Sequence, residues 1–188
     1  MEENTEKKST KIITFLNWYF TCFIVFAFLG WAYETLLGLF VFHAGFVNRG
    51  FLFGPWLPVY AVGGFLVLIP ARKFHLNPFF VFLLTVILCT ILELLVSYIL
   101  ELILGEWLWD YKGYFLNFQG RICLSGSLRF GLMALAGVYL VPPVIDIYTE
   151  NTPRLLCTII TFTLMALFFA DCIARLFLGS NFSGAAGY

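Results

Sequence analysis

Residues 79–104 read FFVFLLTVILCTILELLVSYILELIL, an apolar run broken only by Glu93 and Glu101. As a helix rising 1.5 Å per residue it is roughly 39 Å long, more than the ~30 Å of a bilayer's hydrocarbon core. Asn77 and Pro78 stand immediately before it, a capping residue and then a proline at the first turn, so the start of the helix is defined. A run of this length and composition predicts a membrane-crossing helix. The rest of the chain is therefore read with lipid as its solvent.

Working outward, residues 12–42 carry one ionised side chain, Glu34, and also exceed the bilayer thickness, which predicts a tilted, kinked or protruding first helix. Residues 59–71 form a shorter run ending in Arg72 and Lys73, able to span only if Trp56, Leu57 or their neighbours extend it. Residues 122–141 make a fourth run, stopped by Pro142 and Pro143, and residues 154–178 a fifth. Between the first two runs, GFVNRGFLFGPWLP at 45–58 stays apolar but holds Gly45, Gly50, Gly54, Pro55 and Pro58, which forbid a continuous helix. A re-entrant or irregular segment is predicted at 43–58. The stretch 105–121, GEWLWDYKGYFLNFQGR, mixes charges with Trp107, Trp109, Tyr111 and Tyr114, and reads as an interfacial loop whose aromatics anchor at the headgroups. Residues 1–11 read as a polar tail, disordered or interfacial, and 179–188 as a short Gly-rich tail. The predicted fold class is an all-α integral membrane protein, a bundle of about five transmembrane helices forming one domain over 12–178.

Composition agrees. Of 188 residues, 61% are hydrophobic, 20% aromatic and 12% charged, whereas soluble domains have about a quarter charged residues. The lipid bilayer is thus the first partner expected. Eleven Lys plus Arg balance eleven Asp plus Glu, so no net field or basic patch recruits nucleic acid. Cysteines at 22, 89, 123, 157 and 172 lack CxxC spacing, and four of the five lie in apolar runs, so neither a metal site nor a disulfide framework is expected. No cofactor is expected. GxxxxGK[ST], HExxH and GxSxG do not occur. An ATP-driven function would need a separate ATPase subunit. The first apolar run continues past the length of a signal peptide without a small-residue cleavage site, so it is expected to remain as a span.

Five spans put the termini on opposite sides. With the N-terminus inside, Lys7, Lys8, Lys11, Arg72, Lys73 and Arg154 are cytoplasmic and Arg49, Lys112 and Arg121 external. Basic residues favour the cytoplasmic side, so the expected topology is N-terminus in, C-terminus out.

Ionisable groups inside a bilayer cost several kcal/mol unless paired or hydrated, so those present are expected to face a bundle interior or cavity. In this topology Glu34, Glu101, Arg129, Asp171 and Arg175 all fall in the outer half, and the irregular segments add Asn48, Arg49, Asp110, Asn117, Gln119 and Arg121 on the same side. One outward-facing polar cavity could gather them. Gly30, Glu34 and Gly38 recur at four-residue spacing, letting a neighbouring helix approach beside the carboxylate. Glu93, Ser97 and Glu101 share a helical stripe, with their carboxylates about 12 Å apart along the axis and hence in need of separate partners. Asp171 and Arg175, four apart, can neutralise one another. The candidate substrate-binding set is Glu34, Asn48, Arg49, Glu93, Glu101, Asp110, Asn117 and Arg121. The arginines are favoured because Asn48-Arg49-Gly50 and Gly120-Arg121 combine a guanidinium fork with backbone amides that can hold an anion. A polar network that merely holds the helices in register is the structural alternative.

The residues NRGFLFGPWLPVYAVGG at 48–64, WDY at 109–111 and GRICLSGS at 120–127 resemble the ABC-transporter permease family of the CmpB type, small multispan bacterial membrane proteins. The likeness covers about residues 20–145 and takes in Gly30 to Glu34 and the glutamates of 79–104. It implies a protein of the bacterial cytoplasmic membrane, of transporter type, and brings no substrate. Position by position it points to Glu34, Asn48, Arg49, Gly50, Gly54, Pro55, Glu93, Asp110, Tyr111, Asn117, Gly120 and Arg121. Arg129-Phe130-Gly131 departs from the family pattern, in which Trp-Gly is usual and no arginine precedes it.

Two functions are compatible with these residues. In the first, the chain is a permease or substrate-capture subunit whose outward cavity takes a small anionic or zwitterionic solute, with a separate ATPase and a second copy of itself as open partners. In the second, it is an integral membrane enzyme acting on a lipid or cell-envelope substrate in the outer leaflet, with a glutamate as general base. No nucleophile or metal set in the sequence supports the enzyme specifically.

Overall fold

The computed structural model describes residues 2–41, 43, 45–48, 50–105 and 109–178. Five helices follow one another, α1 (Glu2–Phe40), α2 (Pro58–Lys73), α3 (Pro78–Leu104), α4 (Leu124–Asn151) and α5 (Arg154–Leu178). Four are long and apolar enough to cross a membrane: α1 over Thr10–Phe40, α3, α4 and α5. The chain is an all-α membrane protein.

The start of α3 follows its sequence: the Asn77 side chain accepts the Phe80 N–H at 3.1 Å and Pro78 opens the first turn. Gly105, at φ 78, turns the chain out of the helix. Its faces divide by polarity. Leu83, Ile87, Ile91, Leu95, Ile99 and Leu102 are exposed, whereas Val81, Thr85, Glu93 and Ser97 are buried. An apolar exterior around a polar interior is stable only where the surroundings are lipid.

At 16 residues α2 is roughly 24 Å long, short of the hydrocarbon thickness. It packs on α1, α3 and α4 and leaves Val62, Leu66 and Ile69 exposed. Val67, Leu68, Phe26, Val138, Val141 and Ile145 form the core around it. Trp56 and Leu57, whose extension of the run a full span required, are not helical; the Leu57 N–H donates to the Ala27 carbonyl at 2.9 Å. Among the described residues, the stretch before Pro58 is irregular, as expected of the segment at 43–58.

One expectation is corrected. Pro142 and Pro143 do not stop the fourth helix, which runs to Asn151. The prolines remove two backbone donors, but Val138, Val141 and Ile145 on the same face are buried against α1 and α2, and that packing outweighs the local break. Residues 2–11, read as a polar tail, continue α1 as helix; Glu and Lys are good helix formers, and the apolar helix that follows supplies the nucleus.

Cross-helix contacts fix the directions. Asn17 Nδ2 donates to Thr158 Oγ1 at 2.8 Å, and Thr21 and Thr161 share a hydrogen bond at 3.0 Å, so α1 and α5 run parallel. Trp18 Nε1 donates to Asp146 Oδ1 at 2.6 Å and lies under the Arg72 guanidinium at 4.8 Å, which joins α1, α4 and α2 at the same end. Thr90 Oγ1 donates to Ser127 Oγ at 2.6 Å between antiparallel α3 and α4. The two irregular segments lie at the opposite end, where Asn48, Asp171 and Arg121 make their contacts.

Candidate functional site

The segment 45–57 is held by two side chains. Asn48 Oδ1 accepts from Trp31 Nε1 at 2.8 Å and from the Gly50 N–H at 3.0 Å, and its Nδ2 donates to the carbonyls of Leu52 and Phe53, both at 3.0 Å. Asp171 accepts the N–H groups of Phe53 at 3.0 Å and Gly54 at 2.7 Å. The sequence suggested only an ion pair with Arg175 for Asp171; the structure gives it the backbone of a segment more than a hundred residues away. Asp171→Ala leaves those two amides without their acceptor. It should cost about 1–3 kcal/mol and make residues 50–57 the first site of limited proteolysis in detergent; an unchanged digestion pattern would show that the carboxylate does not hold the segment.

The loop 109–123 folds back on itself. Tyr111 N–H donates to Gly120 O at 2.7 Å, Phe118 N–H to Ile122 O at 2.9 Å, and Trp109 Nε1 to Arg121 O at 2.7 Å. Asn117 closes the turn, donating to Tyr114 O at 2.9 Å and accepting from the Gly120 N–H at 3.2 Å. Asp110 accepts the Lys112 N–H at 2.9 Å and pairs with its ammonium at 3.6 Å on the surface. Arg121 is only 5% exposed: Nη1 donates to Ser97 Oγ at 2.9 Å, Nη2 to Glu101 Oε2 at 2.5 Å, and the guanidinium stacks 4.1 Å from the Tyr98 ring. It anchors the loop to the end of α3.

A separate crevice opens between α1, α2, α4 and this loop, lined by Tyr33, Glu34, Leu37, Tyr60, Tyr111, Tyr114, Gly126, Arg129, Phe130 and Met133. Tyr60 reaches it because Gly30 leaves room for its ring against α1, and its hydroxyl donates to Glu34 Oε1 in a short hydrogen bond. Tyr111 Oη donates to Glu93 Oε1 at 2.9 Å, linking the crevice to the buried face of α3. Arg129 Nε donates to the Ser125 carbonyl at 3.1 Å, and the residue lines the crevice together with Tyr33. The cavity is narrow, about 20 Å³, room for about one water.

The predicted residues therefore divide. Glu34 lines the crevice and Glu93 adjoins it; Glu101 and Arg121 form the anchor; Asn48, Asp110 and Asn117 order the two irregular segments; Arg49 lies outside the described residues. Arg129, set apart because it departs from the family pattern, supplies the crevice's guanidinium. Tyr33, Tyr60, Tyr114, Phe130 and Met133 were not singled out as site residues. Tyr111 and Tyr114, read as headgroup anchors, line the crevice instead, because the loop folds inward over the bundle.

Residues 21–176 match the family model described as "Putative ABC-transporter type IV" (ABC_trans_CmpB). The chain belongs to this family. No curated protein and no solved structure matches it. Within the CmpB-type chain the matched region includes both irregular segments, the Arg121 anchor and every residue of the crevice.

Proposed function

We propose that this CmpB-type chain is the membrane-spanning subunit of a transporter and that its crevice recognises a small zwitterionic solute. What carries the reading is the juxtaposition of one carboxylate and one guanidinium, Glu34 and Arg129, in a crevice otherwise lined mainly by aromatic side chains. Arg129 offers a planar fork to a carboxylate or phosphate, and Glu34 accepts from an ammonium once Tyr60 releases it. The tyrosines supply apolar faces with hydroxyl tips, as binding pockets commonly do.

In this reading the narrow crevice is a closed state. Entry of a solute requires the 109–123 loop or α2 to move, and the energy for repeated movement comes from a separate ATPase subunit, since the chain carries no phosphate-binding loop. The reading puts the Trp18 end in the cytoplasm, the crevice towards the outside and the C-terminus outside, supported by the preference of basic residues for the cytoplasmic side.

The test is equilibrium binding to purified protein in liposomes of three probes of similar size: glycine, acetate and methylammonium. Glycine should bind at least tenfold more tightly than either single-charge probe, because it alone satisfies both groups. Equal binding of glycine and acetate would mean that the carboxylate of Glu34 takes no part in recognition.

A further inference from the structure

Glu93 has a role that cargo recognition does not use. It is the sixteenth residue of the 27 in α3, roughly 22 Å along a helix of about 40 Å, so its carboxyl group lies near mid-membrane. It is 6% exposed. Oε1 accepts the Tyr111 hydroxyl at 2.9 Å, and among the described residues Oε2 has no hydrogen-bond partner.

The titratable and charged groups around it are Glu34 from α1, Tyr111 from the loop, Arg129 from α4 and Cys89 one turn earlier on α3. Glu34 and Arg129 act on it with opposite sign. Among the described residues no hydrogen bond joins Glu93 to a cation. An ionised carboxylate at this depth, with one neutral donor and a bare oxygen, is too costly to persist, whereas a neutral carboxyl group is not. Its neighbour Tyr111 lines the crevice, so opening the crevice brings water to the carboxyl.

We propose that Glu93 is an intramembrane proton-binding site, that it carries its proton in this closed conformation, and that it exchanges the proton with water by way of the crevice beyond Tyr111. On opening, the O–H bond of the carboxyl breaks, the proton leaves on water, and the hydrated carboxylate remains. Closing needs the proton back. The linkage to movement rests on the transport reading; the proton itself does not, and can be tested without any cargo.

The experiment is infrared spectroscopy of the full chain in liposomes at neutral pH, where exposed carboxyl groups, which ionise near pH 4, no longer show a protonated-acid carbonyl band. Wild type should retain one such band, it should shift on transfer to heavy water, and Glu93→Gln should lack it. Tyr111→Phe, which removes the donor to Oε1 and keeps the acid, should move the band to higher frequency, an assignment that stands even if Glu93→Gln folds poorly. Absence of the band from wild type, its persistence unchanged in Glu93→Gln, insensitivity to Tyr111→Phe, or failure to exchange in heavy water would each overturn the inference. Failure of glycine to bind would leave these outcomes untouched and count only against the transport reading.

Discussion

Arg121→Ala should lower the stability of the protein by about 3 kcal/mol, the lower end of what breaking a buried ion pair costs, and release the 109–123 loop. Arg121 combines hydrogen bonds to Ser97 and Glu101 with a stacked contact on Tyr98. Alanine removes all three and opens the space the guanidinium filled. Glu101, with its side chain 38% exposed, can turn to water, which keeps the loss near the lower bound. Arg121→Lys should recover less than half of it, since an ammonium cannot reproduce the planar fork and the stack together. Reversible denaturation in mixed micelles, with protease sensitivity of the loop as a second readout, measures both. A lysine variant as stable as wild type would mean that charge alone suffices and that the fork does not hold the loop.

Gly30→Leu should destroy the crevice. A Cβ at position 30 would already meet the Tyr60 ring, and a leucine must drive that ring away from α1, breaking its hydroxyl's bond to Glu34. Overpacking of this kind costs about 1–3 kcal/mol, but the larger effect is on recognition, because the carboxylate loses its neighbour and α2 is displaced. Glycine binding per folded molecule should fall at least tenfold. Gly137→Ala is the control: its Cβ meets the edge of Phe26 at 3.0 Å, away from the crevice, so it should cost stability while leaving binding per folded molecule unchanged. Equal binding by wild type and Gly30→Leu would remove Tyr60 from the site.

Helical periodicity made much of this legible. Glu93, Ser97 and Glu101 were placed on one stripe by spacing alone, and that stripe is the polar, protein-facing side of α3. Gly30 was read as a point of close approach, and α2 approaches there. Partners were harder to read. Arg121 reaches Ser97 and Glu101 only because Leu116, Gln119 and Gly120 take left-handed backbone angles, and no local pattern announces a left-handed Leu or Gln. The two prolines of α4 were judged by their local chemistry, while buried packing three and four residues either side decided the outcome. Arg129 was left out of the candidate set because Arg129-Phe130-Gly131 departs from the family pattern, and the crevice it lines is built largely by three other elements. Arrangement between elements, not propensity within them, selects the site.

The most direct test of the crevice as a recognition site sets two nearly isosteric or charge-removing variants side by side: Glu34→Gln and Arg129→Gln, each measured for binding of glycine, acetate and methylammonium per folded molecule in liposomes. The account predicts that Glu34→Gln loses most of its glycine affinity, becoming no better for glycine than for acetate, and that Arg129→Gln does the same relative to methylammonium. Wild-type discrimination among the three probes in both variants would contradict it.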